Sequence, residues 1–356
     1  MPSTATQSTA PAAPTQSNPS PRERIAVSAP DQPDIALQRQ PAAAQPVAAQ
    51  PVAAQPVAAQ PVGVDVVYVH GATFGADLSV FFPFDGRSWA DGLAAAGFTV
   101  WGFDFVGFGS SGRYATDVGR PAGDIHDAMG ELGRVVQAVR QRNGDRPVVL
   151  LAHSHGGVVA ARYAGENAAD VQALILFAPI VPRPVSAAPP AALSAAPPAT
   201  PPAIPTAAAA PPSHYPLSVW AQYRRFIDDV PKGQPQVIDE RHMQAWSAAY
   251  LASDPASATR MPPSVMTPFG PIADIGALWS GKALYDPAKV LAPTLVIKGA
   301  WDSLCTDADA QRLLQGLGAQ VKEMVTVPRA THLMQLEQQR DELYAQVNRF
   351  LHKVLA

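Results

Sequence analysis

Pro147-Val148-Val149-Leu150-Leu151-Ala152-His153-Ser154-His155-Gly156-Gly157-Val158-Val159-Ala160 is the stretch on which the reading of this chain turns. Its first six residues form a short apolar run, which reads as a strand buried on both faces. Val158 to Ala164 reads as part of the helix behind it. The joint between the two carries Ser154. A serine hydroxyl is a weak nucleophile until it is presented to a base. A sharp strand-to-helix turn presents it, because the turn pushes the side chain out of the top of the sheet. Such a turn brings neighbouring segments close, so the residues two before and two after must be small, as Ala152 and Gly156 are. The helix starting there also offers free N–H groups to a developing negative charge. A helix N-cap serine has the same local look, so the rest of the chain must supply a base and an acid.

Working outward, strands and helices alternate. Val64 to Val69 is a β-branched run ending at His70-Gly71, and a helix follows near Arg87 to Ala96 before Gly97. Phe98 to Phe103 reads as the next strand. Ile125, Met129, Leu132, Val136 and Val139 recur every three or four residues, the spacing of an amphipathic helix, which Asn143-Gly144 ends. Val171 to Phe177 is another strand. After an interruption, Thr294 to Gly299 reads as strand, Ala308 to Leu317 as helix, Val321 to Val327 as strand and Leu336 to Leu351 as helix. Alternation of this kind predicts an α/β fold, a mostly parallel sheet flanked by helices. Arg24 to Arg39 has two short apolar runs around Asp31-Gln32-Pro33-Asp34 and reads as a hairpin turning there.

The interruptions are compositional. The chain has 356 residues, 38 of them Pro, and only 15% charged residues, and the proline is concentrated in a few segments. Residues 1–22 are Ser, Thr, Ala and Pro and are expected to be a disordered tail. Residues 43–62 repeat Ala-Ala-Gln-Pro-Val four times, which places a low-complexity, extended insert at 41–62. Residues 182–212 are again rich in Pro, Ala and Ser. They open an insertion over 182–288 that reads as irregularly helical and carries Trp220, Tyr223, Phe226, Trp246, Tyr250, Phe269 and Trp279. The expected organisation is a core from 23–181 and 289–356 with a helical, lid-like insertion between.

A net charge of −3 offers no basic footprint for nucleic acid. One cysteine, Cys305, excludes an intrachain disulfide and reads as a buried apolar residue. The N-terminal residues lack a basic cluster followed by an apolar run, and no apolar run is long enough for a membrane span, so the expected location is the cytoplasm.

Further motifs accompany Ser154: His70-Gly71-Ala72; Asp104-Phe105-Val106-Gly107-Phe108-Gly109-Ser110-Ser111-Gly112; Gly299-Ala300-Trp301-Asp302; and Thr331-His332-Leu333. With these the chain resembles the α/β-hydrolase superfamily from about residue 24 to 356, apart from the two low-complexity inserts. One departure is Ala152, where the nucleophile turn usually has Gly. The resemblance implies Ser154 as nucleophile, His332 as base and Asp302 as the acid that orients the base, in the family's chain order. Asp307 and Asp309 remain fallbacks for the acid. It also implies an oxyanion hole from the N–H groups of His155 and of Ala72, or else Thr73.

His70, Gly71, Thr73 and Trp246 are expected to meet the substrate, a small molecule with an apolar acyl or alcohol part. The expected reaction is hydrolysis of a carboxylic ester, with amide or aminopeptidase chemistry, lactone opening or carbon–carbon hydrolysis as alternatives. A non-catalytic binding protein on the same fold, or an interaction protein working through its Ala/Pro-rich segments, are readings of another class.

No metal and no cofactor are expected. His153 and His155 are two apart on a turn, a spacing that rarely serves one ion, so His153 is expected behind the turn and His155 in the pocket wall. Gly107 to Gly112 also spells G-x-G-x-x-G. A dinucleotide fingerprint needs a helix to begin at once on the last glycine, and here Arg113 to Pro121 intervene.

Overall fold

The computed structural model describes residues 22–43, 63–115, 119–184 and 211–355. The expectations for the tail before residue 22 and for most of the two low-complexity inserts fall outside the described residues. The main sheet has eight strands in the order β1-β2-β4-β3-β5-β6-β9-β10. They are β1 (Glu23–Ala29), β2 (Gln32–Gln40), β3 (Val64–Val69), β4 (Phe98–Phe103), β5 (Val148–His153), β6 (Val171–Phe177), β9 (Thr294–Gly299) and β10 (Lys322–Val327). β4 to β10 in this order pair in parallel, while β1 and β2 form an antiparallel edge that joins β4.

The sheet is covered on both sides because its strands are apolar on both faces. Side chains alternate along a strand. Val67, Val69, Leu150, Ala152, Leu174 and Leu176 face α2 (Ile125–Asn143), α3 (His155–Glu166) and α7 (Asp307–Gly316). Val66, Tyr68, Val149, Leu151, Ala173 and Ile175 face α1 (Trp89–Ala95) and α8 (Arg340–Leu355). Each such aliphatic side chain, fully withdrawn from water, contributes about 1.5–3 kcal/mol before chain entropy is counted.

The helix ends follow local chemistry. Asp124 caps α2 by accepting from the N–H groups of His126 and Asp127, and Gly144 ends it at φ 77°. Thr306 and Asp309 form a reciprocal cap on α7.

Two details differ from the sequence reading. The hairpin turns at Pro30-Asp31, with Asp31 at φ 56°, rather than across Asp31 to Asp34. Pro33 fits inside β2 because the register shifts there between Val27 and Ala29, so its missing N–H costs no ladder bond. The segment between β6 and β9 is also not purely helical. β7 (His214–Ser218) and β8 (Ser264–Pro268) pair antiparallel, accompanied by α4 (Val219–Ile227), α5 (Glu240–Ala252) and α6 (Gly270–Trp279). Prolines 216 and 268 hid this two-stranded ribbon from a pattern search. Phe226, Met243, Trp246 and Tyr250 of this segment pack against Phe74, Leu78, Phe82, Phe84, Leu333 and Leu336 of the loops above the sheet.

Parallel strands all end on the same edge, and ligands bind outside that edge in such sheets. The residues that follow β3, β4, β5, β9 and β10 there are His70, Asp104, Ser154, the loop to Asp302, and the loop to His332.

Candidate active site

β5 runs straight into α3 through Ser154, whose backbone sits at φ 54°, ψ −122°. That conformation is costly for a residue with a Cβ and persists only where surroundings impose it. Here they do. The Ser154 N–H donates to the Phe177 carbonyl at 3.2 Å, and the Gly157 N–H donates to the Ser154 carbonyl at 2.9 Å. A Cβ on Gly156 would lie 2.3 Å from the His70 carbonyl oxygen and 2.6 Å from that of Val69. Only glycine lets α3 start this close to the end of β3.

The turn holds Ser154 Oγ against His332. The hydroxyl donates to His332 Nε2 at 2.8 Å, and His332 Nδ1–H faces both carboxylate oxygens of Asp302 at 3.1 Å. All three residues are buried, with 2–4% of their surface exposed. Asp302 Oδ1 also accepts from the N–H groups of Leu304 and Cys305 at 2.9 and 3.0 Å, which fixes the carboxylate as an acceptor.

The His332 loop is pinned from three sides. His153 Nε2–H donates to the His332 carbonyl at 3.0 Å. The Thr331 N–H donates to Glu337 at 2.9 Å, and its hydroxyl bonds the other oxygen of the same carboxyl. Gly299, at the end of β9, lies so near Ala330 that a Cβ would come within 2.3 Å of its carbonyl oxygen. Burial holds the pKa of the His153 imidazole well below its usual range, so it is a neutral donor. Burial likewise pushes Glu337 up to about 7.

Beside Ser154 lies a small cavity of about 10 Å3, lined by Gly71, Ala72, Thr73, Phe74, His153, Arg225 and Leu333. The peptide N–H of His155 opens α3 and has no acceptor within the helix. An imidazole that can take a proton, a carboxylate to steady it and free N–H groups are the parts that nucleophilic acyl transfer requires.

A family model described as serine aminopeptidase, S33, matches residues 86–339. The chain belongs to this family of α/β-hydrolases. Membership makes it a serine hydrolase. Solved structures share the fold at low identity. The thioesterase domain from the curacin biosynthetic pathway superposes with a TM-score of 0.57 at 15% identity, over 94% of this chain and 100% of that one. A thermophilic esterase from Thermogutta terrifontis gives 0.53 at 16% identity, over 94% and 100%. A membrane phospholipase A described as a bacterial virulence factor gives 0.59 at 17% identity, over 94% and 86%. No curated protein sequence matches.

In this α/β-hydrolase the expected site residues separate into two groups. Ser154, His332 and Asp302 converge, and Gly71, Ala72 and Thr73 line the cavity with them. The fallback acids are engaged elsewhere: Asp307 pairs with Lys298 at 2.9 Å, and Asp309 with Arg183 at 2.7 Å.

Three expectations need correcting. His70 does not reach the cavity. It is fully buried, Nε2 accepts from the Phe105 N–H at 2.9 Å, and Nδ1–H donates to the Gly71 carbonyl at 2.8 Å. Burial lowers its pKa to about 4, so it stays a neutral brace between the loops after β3 and β4. Trp246 is also turned away. Its indole N–H donates to the Leu78 carbonyl at 2.9 Å, and its rings pack on Phe74, Phe226 and Tyr250. The His155 side chain bonds Asp274 of α6 at 2.8 Å instead of lining the pocket. His153 and His155 thus point to different partners.

The glycine loop after β4 encloses Asp104, which accepts from the N–H groups of Ala76 and Ser110 at 2.8 and 2.9 Å. The next helix waits until Ile125, so the fingerprint has no helix on its last glycine.

Several contributors carried no sequence signal. Glu337 has no motif around it. Gln222, Arg225 and Asp229 come from the irregular insertion. Gln222 bridges the hydroxyl and carbonyl of Thr73 at 3.5 and 3.4 Å, and Asp229 accepts from the Ser303 N–H at 3.1 Å. Gln222 and Arg225, three apart on α4, offered the only spacing clue.

Proposed function

We propose that this protein hydrolyses a carboxylic ester through an acyl-enzyme on Ser154, with His332 and Asp302 completing a catalytic triad. The observation that carries the reading is the unbroken hydrogen-bonded line from Ser154 Oγ through the His332 ring to Asp302.

In the first half-reaction His332 Nε2 takes the hydroxyl proton as Oγ attacks the ester carbonyl. The carbonyl oxygen becomes an oxyanion held by the N–H groups of Ala72 and His155, an arrangement in which one donor typically contributes about 3 kcal/mol. Asp302 holds the ring with its proton on Nδ1 and stabilises the imidazolium. Collapse breaks the ester C–O bond, and His332 protonates the departing alcohol. Water, deprotonated by His332, then attacks the acyl-enzyme and releases the carboxylic acid and free Ser154.

The cavity of about 10 Å3 holds about one water molecule, far less than the 300–1,000 Å3 usual for a ligand pocket. Residues 211–288, which reach it through Arg225 of α4, therefore act as a lid that must shift to admit substrate.

The family's name makes aminopeptidase chemistry the second reading. An aminopeptidase must hold a substrate ammonium next to its nucleophile, but the charged side chain lining this cavity is the cation Arg225. That favours the ester. The test is labelling with a fluorophosphonate probe together with turnover of graded aryl esters and aminoacyl anilides. Wild type should label and cleave esters, and Ser154→Ala should do neither. Anilide turnover exceeding ester turnover would overturn the ester assignment.

A further inference from the structure

α4 reaches the Ser154 cavity. Its Gln222 is fastened to Thr73, and Asp229 just beyond the helix is fastened to the loop carrying Asp302. Between these anchors Arg225 lines the cavity together with Gly71, Ala72 and Ser154. Its Nε is buried and has no hydrogen-bond partner, and among the described residues no carboxylate lies within 4 Å of its guanidinium. Asp229 and Asp302 are engaged otherwise, Asp229 by the Ser303 N–H, and Asp302 by His332, Leu304 and Cys305. The residue is half-buried, and a cation beside the nucleophile with no counter-charge is open to an anion. The guanidinium fork suits a carboxylate, which it can grip through two parallel hydrogen bonds. Phe74 and Leu333 on the walls lower the local dielectric and strengthen such a pair.

We infer that Arg225 is a specificity residue that receives a carboxylate on the acyl part of the substrate, so that the preferred substrates are mono-esters of dicarboxylic acids. The inference rests on the ester-hydrolase reading above and names its substrate class. A glutarate mono-ester is a suitable probe, because its carboxylate can be compared with a methyl group at equal chain length. An arginine here that instead helped to hold the oxyanion would act on every ester alike, and the experiment separates the two.

The experiment compares wild type, Arg225→Met and Arg225→Lys on two aryl esters of equal acyl length, 4-nitrophenyl hydrogen glutarate and 4-nitrophenyl valerate. Fluorophosphonate labelling controls for an intact nucleophile. The expected wild-type kcat/KM ratio favours the glutarate ester at least tenfold. Arg225→Met lowers that ratio at least tenfold, chiefly through KM, Arg225→Lys recovers part of it, and added salt erodes it. Free glutarate inhibits wild type competitively, whereas inorganic phosphate at the same concentration inhibits less. Stronger inhibition by phosphate would replace the carboxylate by a phosphoryl group and overturn the assignment. A wild-type ratio near one, or an Arg225→Met protein that loses both esters by the same factor, also overturns it, leaving the hydrolase reading intact. Should wild type neither label nor turn over any ester, the hydrolase reading fails. The anion site is then decided by melting alone: glutarate must raise the midpoint of wild type by about 2 °C or more and leave that of Arg225→Met unmoved.

Discussion

Gly156→Ala is the smallest change that tests how the nucleophile is presented. The added methyl would sit 2.3 Å from the His70 carbonyl oxygen, 2.6 Å from that of Val69 and 3.0 Å from the His70 carbonyl carbon. Real Cβ atoms essentially never come closer than 3.0 Å, so at least about 0.7 Å of movement is forced. The obstacles are backbone, not the far ends of flexible side chains, and β3 is hydrogen-bonded on both edges to β4 and β5. The strand therefore resists and α3 shifts instead. Overpacking of this kind costs about 1–3 kcal/mol. The movement falls on the first turn of α3, which carries the His155 N–H, and on Ser154 itself. A misplacement near 1 Å costs about a hundredfold in rate. The expected result is a lowered urea midpoint together with a fall of about a hundredfold in fluorophosphonate labelling rate, measured under conditions where the protein remains folded. Ala152→Gly is the control. It removes a methyl from a strand interior and should cost about 1–2 kcal/mol of stability with much less effect on labelling. A Gly156→Ala protein with wild-type stability and labelling would show that the close approach of α3 to β3 is not what sets the serine.

Other outcomes follow from the same coordinates. Asp302→Asn keeps the shape of the side chain but removes the charge that fixes the His332 tautomer, so kcat for an aryl ester should fall on the order of 10⁴-fold with little change in KM; a fall below tenfold would remove Asp302 from its assigned role. Glu337, held by burial at about 7 against about 4.5 in the unfolded chain, stabilises the fold as the protonated acid. That contribution is complete below pH 4.5 and is lost as pH rises through 7, so the stability advantage of wild type over Glu337→Gln should shrink by about 3 kcal/mol between pH 4.5 and 8. A difference constant with pH would refute it. Arg183 bonds Asp309 at 2.7 Å, donates to the Leu304 carbonyl at 3.0 Å and stacks 4.2 Å over Trp279, all buried. Arg183→Met should lower stability in a denaturant titration by about 1–3 kcal/mol, because Asp309 keeps Arg312 at 3.1 Å and the Thr306 N–H and hydroxyl; an unchanged midpoint would refute it.

Much of the core could be read from the chain because strand and helix signals there are local. Val148 to Ala152 is apolar at every position, and Asp124 and Gly144 mark the ends of α2 by the capping chemistry they supply. The insertion resisted reading because its order is not local. Pro216 and Pro268 lie in strands that exist only through each other, and Gln222, Arg225 and Asp229 gain meaning only from the loops they touch. His70 and Trp246 show the same limit from the other side. Both residue types suit a binding site, yet backbone N–H and carbonyl groups distant in sequence claim them.

By itself the sequence determined the strand–turn–helix at Ser154, the alternation that makes a parallel sheet, and the order of serine, aspartate and histidine along the chain. These depend on steric and hydrophobic periodicities spanning a few residues. Only the tertiary structure decided that His332 Nε2 stands 2.8 Å from Ser154 Oγ across 178 positions of chain, and that a cation from α4 enters the same cavity without an acid to meet it. Hydrogen bonds and charge interactions act over a few ångströms of space, and only the packing of distant segments sets which side chains lie that close.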